Sequence, residues 1–503
     1  MKLNVFSVPD GNVSALKAKF DQVGLKAIHT ATDGAWETVF YFSAEQTPTE
    51  IPWVNTFAEF FGDLQPQNLI YFGAYVFEQP SRCYVLTYGK AHFYVRPFCD
   101  HDFGIEVAKR IADEDDIKQK ASKRFAGRRK KEIGSYTSNT RLDIESGESV
   151  DYLQAGILDS WRKDFGRTAK FGSSVLLNAP IDKSGIGQLL DKVTVALASP
   201  PAFALPRTAE ITDAAEVARY DAILLDAIVS DDRSTDFTHT GHEIVGVDFV
   251  FSGNEQYTLT ATHHRPRILG EADLDLEALR GYIEDEAIGR NEILGIRIKV
   301  DNEGQRTYSK TLKDSLDYIV DGENVMLSQG RWLRFNEDYV DQLNNSVDGI
   351  AIESTEPKLE EISTGEPAFN DSSDVAALGY MKADKDFSKI QTRASTPIEA
   401  WDLRRGDTVY AVKFATAQKL GYVCDQANAV LEIIRNNANV KKLDPGWRAY
   451  CLWLGFKTVT IPARMSEVNS IILKQKMDAW ARGCRNLGIE PKLKFSRRVT
   501  GSP

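Results

Sequence analysis

Short apolar runs dominate the first part of the chain. Aromatic and β-branched residues, bounded by Gly, Pro or Asn, recur at residues 38–42, 69–77, 83–88 and 91–95. Short runs of this composition with such boundaries are typical of strands. From residue 103 to 113 the apolar positions recur at helical spacing instead. This pattern predicts a β-rich α+β N-terminal domain over residues 1–200.

The pattern beyond residue 200 predicts a second α+β domain. A strand at 174–177 and a helix at 186–197 precede a break marked by Pro200, Pro201 and Pro206. Helical spacing resumes at 214–228 and at 337–350. Between these helices, apolar runs predict strands at 243–251, 257–262, 296–300, 308–312, 324–327 and 330–335. The middle domain is therefore placed at residues 201–352.

Residues 353–365 are rich in Ser, Thr, Pro and Glu without an apolar period, which is typical of a linker. The remaining residues, 366–503, predict a compact unit. Its expected elements are a helix at 371–378, strands at 397–403 and 408–414, a helix at 417–436, a strand at 450–455, a helix at 466–487 and a strand at 492–495. This αββαβαβ order indicates an α/β layer with a mixed sheet. The whole chain is thus expected to be a multidomain protein of mixed α+β class.

Composition narrows the class of protein. The chain has 503 residues, is 42% apolar and 26% charged, and so has an ordinary globular composition. Its five cysteines form no C-x-x-C pair, which favours a reducing compartment over a disulfide scaffold. No signal-peptide core and no run of 18 apolar residues is visible. We expect a soluble, cytoplasmic protein with no membrane partner.

Charge is unevenly distributed along the chain. There are 61 basic and 72 acidic residues, a net charge of −11, yet residues 441–503 hold 13 Lys/Arg against four Asp/Glu. A second basic patch follows the acidic residues 113–116 and spans 118–131. Such patches bind nucleic acids by releasing counterions; the alternative for 118–131 is a solvated loop. The predicted nucleic-acid contacts are Lys118, Lys120, Arg128, Arg129, Lys130, Lys131, Lys474, Arg482 and Arg485.

Several common catalytic motifs are missing. The chain has no G-x-S-x-G, no Walker P-loop and no H-E-x-x-H. Four histidines, His239, His242, His263 and His264, lie close enough in sequence for a metal site, but surface histidines on loops are the favoured interpretation.

A predicted hairpin carries the strongest candidate chemistry. Glu399 and Asp402 lie on its first strand, Lys413 lies on its second, and Glu366 precedes the short helix before it. This combination resembles the restriction-endonuclease-like nuclease core, in which carboxylates hold Mg²⁺ or Mn²⁺ against a phosphate and a lysine positions the attacking water. Gln426, on the helix that follows, is a candidate for holding a phosphate or water.

The length of the hairpin loop decides which acid is the metal ligand. A three-residue loop puts Glu399 opposite Lys413. A two- or four-residue loop instead puts Asp402 on the sheet face shared by Ala411 and Lys413. Asp402 would then lie opposite Val409, four residues from Lys413, which is a distance of roughly 13 Å from the lysine. We therefore predict Glu399 as the first metal ligand and Asp402 as the second. An exposed cross-strand ion pair of Glu399 and Lys413 is the structural alternative.

From about residue 85 onwards, the chain resembles a sporadically distributed bacterial family of uncharacterised proteins, often encoded near restriction and phage-defence genes. The shared motifs are Leu86-Thr87-Tyr88-Gly89-Lys90, Asp102-Phe103-Gly104-Ile105-Glu106-Val107, Leu327-Ser328-Gln329-Gly330-Arg331-Trp332, Ile398-Glu399-Ala400-Trp401-Asp402-Leu403, Val412-Lys413 and Ile461-Pro462. This chain has Ala411 where the family pattern tends to have His, and the nuclease pattern has Asp or Glu there.

Two function classes follow, and they differ in whether the chain cuts nucleic acid. The first is a metal-dependent nuclease, or a nuclease-like nucleic-acid-binding protein, that acts on DNA rather than RNA in bacterial defence against phage. The second is a non-catalytic sensor or adaptor that binds nucleic acid or a protein from the same defence locus. A protein–protein scaffold is a third interpretation of the basic C-terminal segment.

Overall fold

A computed structural model gives the architecture of most of the chain. The residues that it describes are 1–44, 48–124, 131–229, 238–239, 255–269, 276–302, 308–320, 323–383, 401–415, 417–436, 447–456, 461–468 and 470–499. Several sheets and many helices are present, so the prediction of a mixed α+β multidomain protein is confirmed.

The chain divides into two compact units. The N-terminal unit comprises Met1–Lys123, Lys131–Ile144 and Ser149–Ala209, and the C-terminal unit comprises Arg124–Lys130, Glu145–Glu148 and Glu210–Pro503. The main boundary therefore lies at residues 209 and 210, and residues 210–503 belong to one unit.

A ten-stranded sheet forms the frame of the N-terminal unit, in the order β2-β3-β6-β7-β1-β12-β11-β10-β8-β9. The elements are β1 Lys2–Val8, α1 Asp10–Gln22, β2 Lys26–Asp33, β3 Trp36–Phe42, β4 Thr49–Glu50, α2 Pro52–Thr56, α3 Ala58–Phe61, β5 Gln67–Asn68, β6 Gly73–Gln79, β7 Arg82–Tyr88, α4 His92–Val95, α5 Phe103–Ile111, β8 Ala112–Arg124, β9 Lys131–Thr140, β10 Glu148–Ile157, α6 Arg162–Phe165, β11 Thr168–Phe171, β12 Val175–Asn178 and α7 Ile186–Ala198.

Both faces of this sheet are covered over part of its width. In β1, Leu3 and Val5 pack beneath α5 and α7, while Phe6 and Val8 pack on the opposite face with α1 and α4. Strands buried on both faces carry apolar residues at most positions, which explains the apolar runs in the sequence. The predicted strand at 91–95 is wrong, because His92–Val95 is a helical turn.

The strand β8 of this sheet is highly charged and was not predicted. β8 contains the acidic residues 113–116 and continues through residues 118–124, so this described part of the basic patch is strand and not solvated loop. Ion pairs compensate its charges: Lys118 pairs with Asp116, and Lys123 Nζ lies 3.1 Å from Asp151 Oδ1 on β10. Opposite charges on one sheet face stabilise strand pairing.

An excursion between β3 and β6 exposes many aromatic and aliphatic side chains. β4 and β5 pair as a two-stranded stem, and α2 and α3 lie between them. Trp53, Phe57, Phe60 and Leu64 are 59%, 45%, 75% and 71% exposed. We call residues 49–71 the aromatic excursion.

The C-terminal unit contains three further sheets and the predicted candidate site. Its elements, with the strand at its start, are β13 Thr208–Glu210, α8 Ala214–Val229, β14 Thr238–His239, β15 Glu255–Thr260, β16 Arg267–Ile268, α9 Leu276–Asp285, β17 Arg297–Asn302, β18 Tyr308–Thr311, β19 Leu316–Val320, β20 Val325–Ser328, β21 Arg331–Phe335, α10 Glu337–Asp348, β22 Ala351–Glu353, β23 Glu361–Ile362, α11 Glu366–Asn370, α12 Ser373–Ala377, β24 Met381–Lys382, β25 Leu403–Arg405, β26 Thr408–Ala415, α13 Ala417–Asn436, β27 Ala449–Phe456, α14 Ile471–Asn486 and β28 Glu490–Arg498.

The last of these sheets is mixed and has the order β22-β28-β27-β26-β25-β24, with β23 also paired to β28. β24, β25 and β26 form an antiparallel meander, and β26, β27, β28 and β22 run parallel. All eight residues of β27 are buried. Tyr450, Leu452 and Leu454 face α10, α13 and α14, whereas Cys451 and Trp453 face α11 and α12. The sheet is thus a central layer between helices.

Part of the segment expected as a linker lies along this sheet. Glu361–Ile362 is a strand that pairs in parallel with β28, as does the preceding strand Ala351–Glu353.

The last helix begins at Ile471 instead of residue 466, because Ser470 Oγ accepts the N–H of Leu473 as an N-cap. Among the helices that the structure describes, none combines the length and apolar character that crossing a bilayer requires.

Candidate functional site

Glu366 and Lys413 meet at the edge of the mixed sheet. Lys413 lies near the carboxyl end of β26, and Glu366 is the first residue of α11. Lys413 Nζ lies 3.2 Å from Glu366 Oε1, and the two side chains are 34% and 26% exposed. A partner that enters from solvent can therefore reach both charges. The sequence predicted both residues for one site, and the fold brings them into contact.

Asp402 lies beside this pair, and the hairpin has the two-residue loop of the alternative expectation instead of a three-residue loop. Arg405 pairs with Thr408, so the hairpin loop consists of the two residues Gly406 and Asp407. Leu403 then pairs with Tyr410, and the predicted pairing of Asp402 with Val409 is wrong. Asp402 Oδ2 accepts the backbone N–H of Val412 at 2.7 Å, directly next to Lys413.

Asn370 joins the helix to Asp402. It lies one helical turn after Glu366, and residues four apart share a helix face. Asn370 Nδ2 donates to Asp402 Oδ1 at 3.4 Å. We call Glu366, Asn370, Asp402 and Lys413 the Glu366 cluster. Sequence reasoning missed Asn370; its four-residue spacing from Glu366 was the available signal.

Two other predicted catalytic residues are not seen in this cluster. Glu399, the predicted first ligand, lies outside the described residues. Gln426 is exposed on α13, and no hydrogen bond between it and the Glu366 cluster is present in the described part of the chain. The described residues also contain no group of three or more His, Cys, Asp or Glu arranged to hold a metal.

The histidine-rich region gives no metal centre in its described part. His242 lies outside the described residues, and His264 Nε2 is 3.6 Å from Glu292 Oε2.

Three of the four described lysines of the patch at 118–131, namely Lys118, Lys120 and Lys123, already have protein partners. Lys118 pairs with Asp116, Lys120 donates to the carbonyl of Asp143, and Lys131 is exposed. Arg128, Arg129 and Lys130 lie outside the described residues. The described patch therefore offers less unpaired positive charge than its sequence suggests.

The predicted contacts on α14 have different environments. Lys474 is buried, and its Nζ donates to Asn344 Oδ1 and to the carbonyl of Ser466, both at 2.8 Å. Arg482 lies 2.8 Å from the buried carboxylate of Asp478. Arg485 is exposed. Two of these three cations thus hold the unit together.

A second ionic cluster explains part of the basic charge at the C-terminus. Lys494 on β28 is fully buried, and its Nζ lies 2.8 Å from Glu356 Oε2 and 3.3 Å from Glu353 Oε1. It also donates to Tyr380 OH at 2.9 Å and lies 4.8 Å from the centre of the Trp453 ring. Burial alone would raise the pKa of Glu356, but the hydrogen bonds from Lys494 and Tyr380 and the charge of Lys494 together outweigh this effect and lower that pKa to about 2.

Comparison with known proteins gives a family without a known activity. A family model described as a family of unknown function, DUF6119, matches residues 10–443. The comparisons with curated proteins and with solved structures gave no match. Because the family model spans most of the 503 residues, the chain belongs to the DUF6119 family.

Proposed function

We propose that this protein is a metal-dependent phosphodiesterase that cuts nucleic acid, DNA rather than RNA, in bacterial defence against foreign genetic elements. The observation that carries the proposal is the contact between Glu366 and Lys413, with Asp402 beside them. Hydrolysis of a phosphodiester needs carboxylates that hold a divalent cation and a cation that stabilises the developing charge. The Glu366 cluster supplies both kinds of group.

The connectivity around the cluster supports the same proposal. Helices α11 and α12 precede the β24-β25-β26 meander, and α13 leads to β27, which is parallel to β26. This helix–three strands–helix–strand order is similar to the restriction-endonuclease-like core. In that arrangement the acid before β25 and the lysine on β26 face one substrate phosphate. The defence context rests on the resemblance given by the sequence motifs.

In this proposal each residue has a separate role. Glu366 and Asp402 would hold Mg²⁺ or Mn²⁺, and the cation would supply Lewis-acid activation of water and neutralise phosphate charge. Lys413 Nζ orients the attacking water and stabilises the negative charge that develops on the phosphate. Glu399 remains a further candidate ligand.

A non-catalytic sensor or adaptor is the second candidate, and Ala411 favours it. Ala411 is 6% exposed and packs in the core, at the position where the nuclease pattern has a carboxylate. In addition, one oxygen of Asp402 already accepts a backbone hydrogen bond. A cluster with fewer metal ligands would bind the phosphate of a nucleic acid without hydrolysing the phosphodiester bond.

The test compares cleavage and binding in the full chain. Purified protein is incubated with plasmid, linear DNA and RNA, each with EDTA, Mg²⁺ or Mn²⁺. We expect metal-dependent cleavage that Lys413→Ala reduces by about 100-fold or more. Lys358→Ala is the matched control, because Lys358 is 73% exposed and its ion pair with Asp374 lies outside the cluster.

The outcomes separate the two candidates. Cleavage that persists unchanged in Lys413→Ala contradicts the assigned site. Salt-sensitive binding of nucleic acid without cleavage in any metal selects the sensor or adaptor.

A further inference from the structure

The side-chain oxygen of Asn370 is an unusual atom in the Glu366 cluster. Asn370 Oδ1 is buried and has no hydrogen-bond partner in the described part of the chain. Its Nδ2 donates to Asp402 Oδ1 at 3.4 Å. The reverse orientation of the amide is less favourable, because it would place Oδ1 against the carboxylate of Asp402. The NH₂ group would also lose this acceptor.

An unsatisfied buried acceptor calls for a ligand of positive character. Buried polar groups in native proteins are nearly always paired with protein, water or an ion. Two carboxylates belong to the same cluster: Asp402 is the hydrogen-bond partner of this amide, and Glu366 lies one helical turn before Asn370 on the same helix. Carboxylate and amide oxygens are the ligands that Mg²⁺ and Ca²⁺ prefer.

We propose that Asn370 Oδ1, Asp402 and Glu366 form a binding site for a divalent cation. The inference deepens the proposed function, since it identifies Asn370 as a metal ligand of that same site. Two carboxylates balance the charge of the cation, and the neutral amide adds a third oxygen from the protein. Water supplies the remaining ligands, as is usual for Mg²⁺.

Lys413 opposes the cation at this site. Its ammonium group lies 3.2 Å from Glu366 Oε1, so lysine and cation compete for one carboxylate. Removing the lysine charge should therefore tighten metal binding while it abolishes cleavage. If Lys413 were merely structural, its replacement would not be expected to tighten cation binding while it reduces cleavage.

The experiment measures cation binding directly, without nucleic acid. Mn²⁺ binding to the full chain is followed by electron paramagnetic resonance. Tb³⁺ luminescence, excited through the adjacent Trp401, gives a second readout near Asp402. We expect Asn370→Ala to raise the Kd for Mn²⁺ at least tenfold, which corresponds to about 1.4 kcal/mol. Asn370→Asp should bind at least as tightly as the natural chain, and Lys413→Met should bind more tightly.

Asn486→Ala is the matched control, because Asn486 is an exposed asparagine at the end of α14. If Asn370→Ala does not fold, as judged by circular dichroism without metal, then Asn370→Asp and Lys413→Met carry the test alone. The inference is overturned if the natural chain binds no Mn²⁺, which would mean that a water satisfies Oδ1, or if Asn370→Ala binds it unchanged.

These results can be told apart from those for the proposed function. Cation binding that depends on Asn370, without cleavage of any nucleic acid, supports the site and overturns the nuclease. Metal-dependent cleavage with unchanged cation affinity in Asn370→Ala supports the nuclease and overturns this site.

Discussion

The ammonium group of Lys494 lies 2.8 Å from Oε2 of Glu356, and the lysine side chain has no exposed surface. Glu356 comes from the segment that precedes the candidate site, and Lys494 comes from the last strand of the sheet. This ion pair fixes residues 353–356 to β28, next to the rings of Tyr380 and Trp453. A buried charge that loses its partner is strongly destabilising.

Replacing Glu356 should therefore make stability less dependent on pH. The pKa of Glu356 is about 2 in the folded chain against an ordinary value of 4.5. Its stabilising effect is thus present above pH 4.5 and lost as the pH falls from 4.5 to 2. We expect Glu356→Gln to cost about 1–3 kcal/mol at pH 7, with a difference that shrinks over this window.

Urea unfolding at a series of pH values measures that difference. Glu360→Gln is the control, since Glu360 is exposed. A cost for Glu356→Gln that stays constant down to pH 2 would contradict the assignment.

Gly104 in α5 should not tolerate a side chain. A Cβ atom at this position would lie 2.4 Å from the carbonyl oxygens of both Gly172 and Ser174, and backbone atoms cannot give way easily. Overpacking of this kind costs about 1–3 kcal/mol or more. We expect Gly104→Ala to lower the midpoint of thermal unfolding, while Gly11→Ala, whose Cβ meets nothing within 4 Å, leaves it unchanged or higher. Equal midpoints for the two variants would rule out the tight contact.

The five cysteines should be unreactive in the native protein. All five are free and buried. Burial raises the pKa of both Cys83 and Cys99 to about 12, so almost no thiolate is present at neutral pH. We expect a disulfide reagent such as DTNB to label less than one thiol per folded chain and five after denaturation in guanidinium. Rapid labelling of a folded chain would show that a cysteine is more accessible than the structure describes.

The aromatic excursion should contribute little to folding stability. Phe60 is 75% exposed and stacks with Phe57 at a ring-centre distance of 5.7 Å. Because little apolar area is lost, we expect Phe60→Ser to change stability by less than about 0.5 kcal/mol and to reduce binding of the dye ANS. Phe77→Ser, at a residue with 0% exposure, should cost about 3–5 kcal/mol. A large loss of stability in Phe60→Ser would indicate that the excursion packs more closely than its exposure suggests.

The strongly apolar elements of the fold were predictable from the sequence. The helix Ala417–Asn436 has the predicted bounds, and the buried strand Ala449–Phe456 differs by one residue at each end. The charged strand β8 was not predictable, because its charges are compensated by residues on another strand. Lys123 pairs with Asp151 on β10, and the hydropathy of the sequence does not show that these two strands lie together. Residues 353–356 resembled a linker for a similar reason, since Lys494 lies 141 residues after Glu353.

The candidate site was predictable in its residue types more than in its geometry. Glu366 and Lys413 were expected to share a site, and they are in contact. The hairpin loop could have had two, three or four residues, and Gly406, with a positive φ of 60°, forms a two-residue loop with Asp407. That choice of register moves Asp402 towards Lys413. It depends on the pairing of both strands, which residue spacing alone does not determine.

β28, formed by residues 490–498, is an inner strand of its sheet. β22 and β23 lie more than a hundred residues earlier and pair with β28 in the described sheet. During translation, therefore, the parallel half of this sheet cannot close until residue 498 has left the ribosome. Until then Glu353 and Glu356 cannot pair with Lys494, and one edge of the apolar strand β27 has no neighbouring strand. The interval before residues 490–498 emerge is consequently the stage at which we expect this unit to need protection from aggregation.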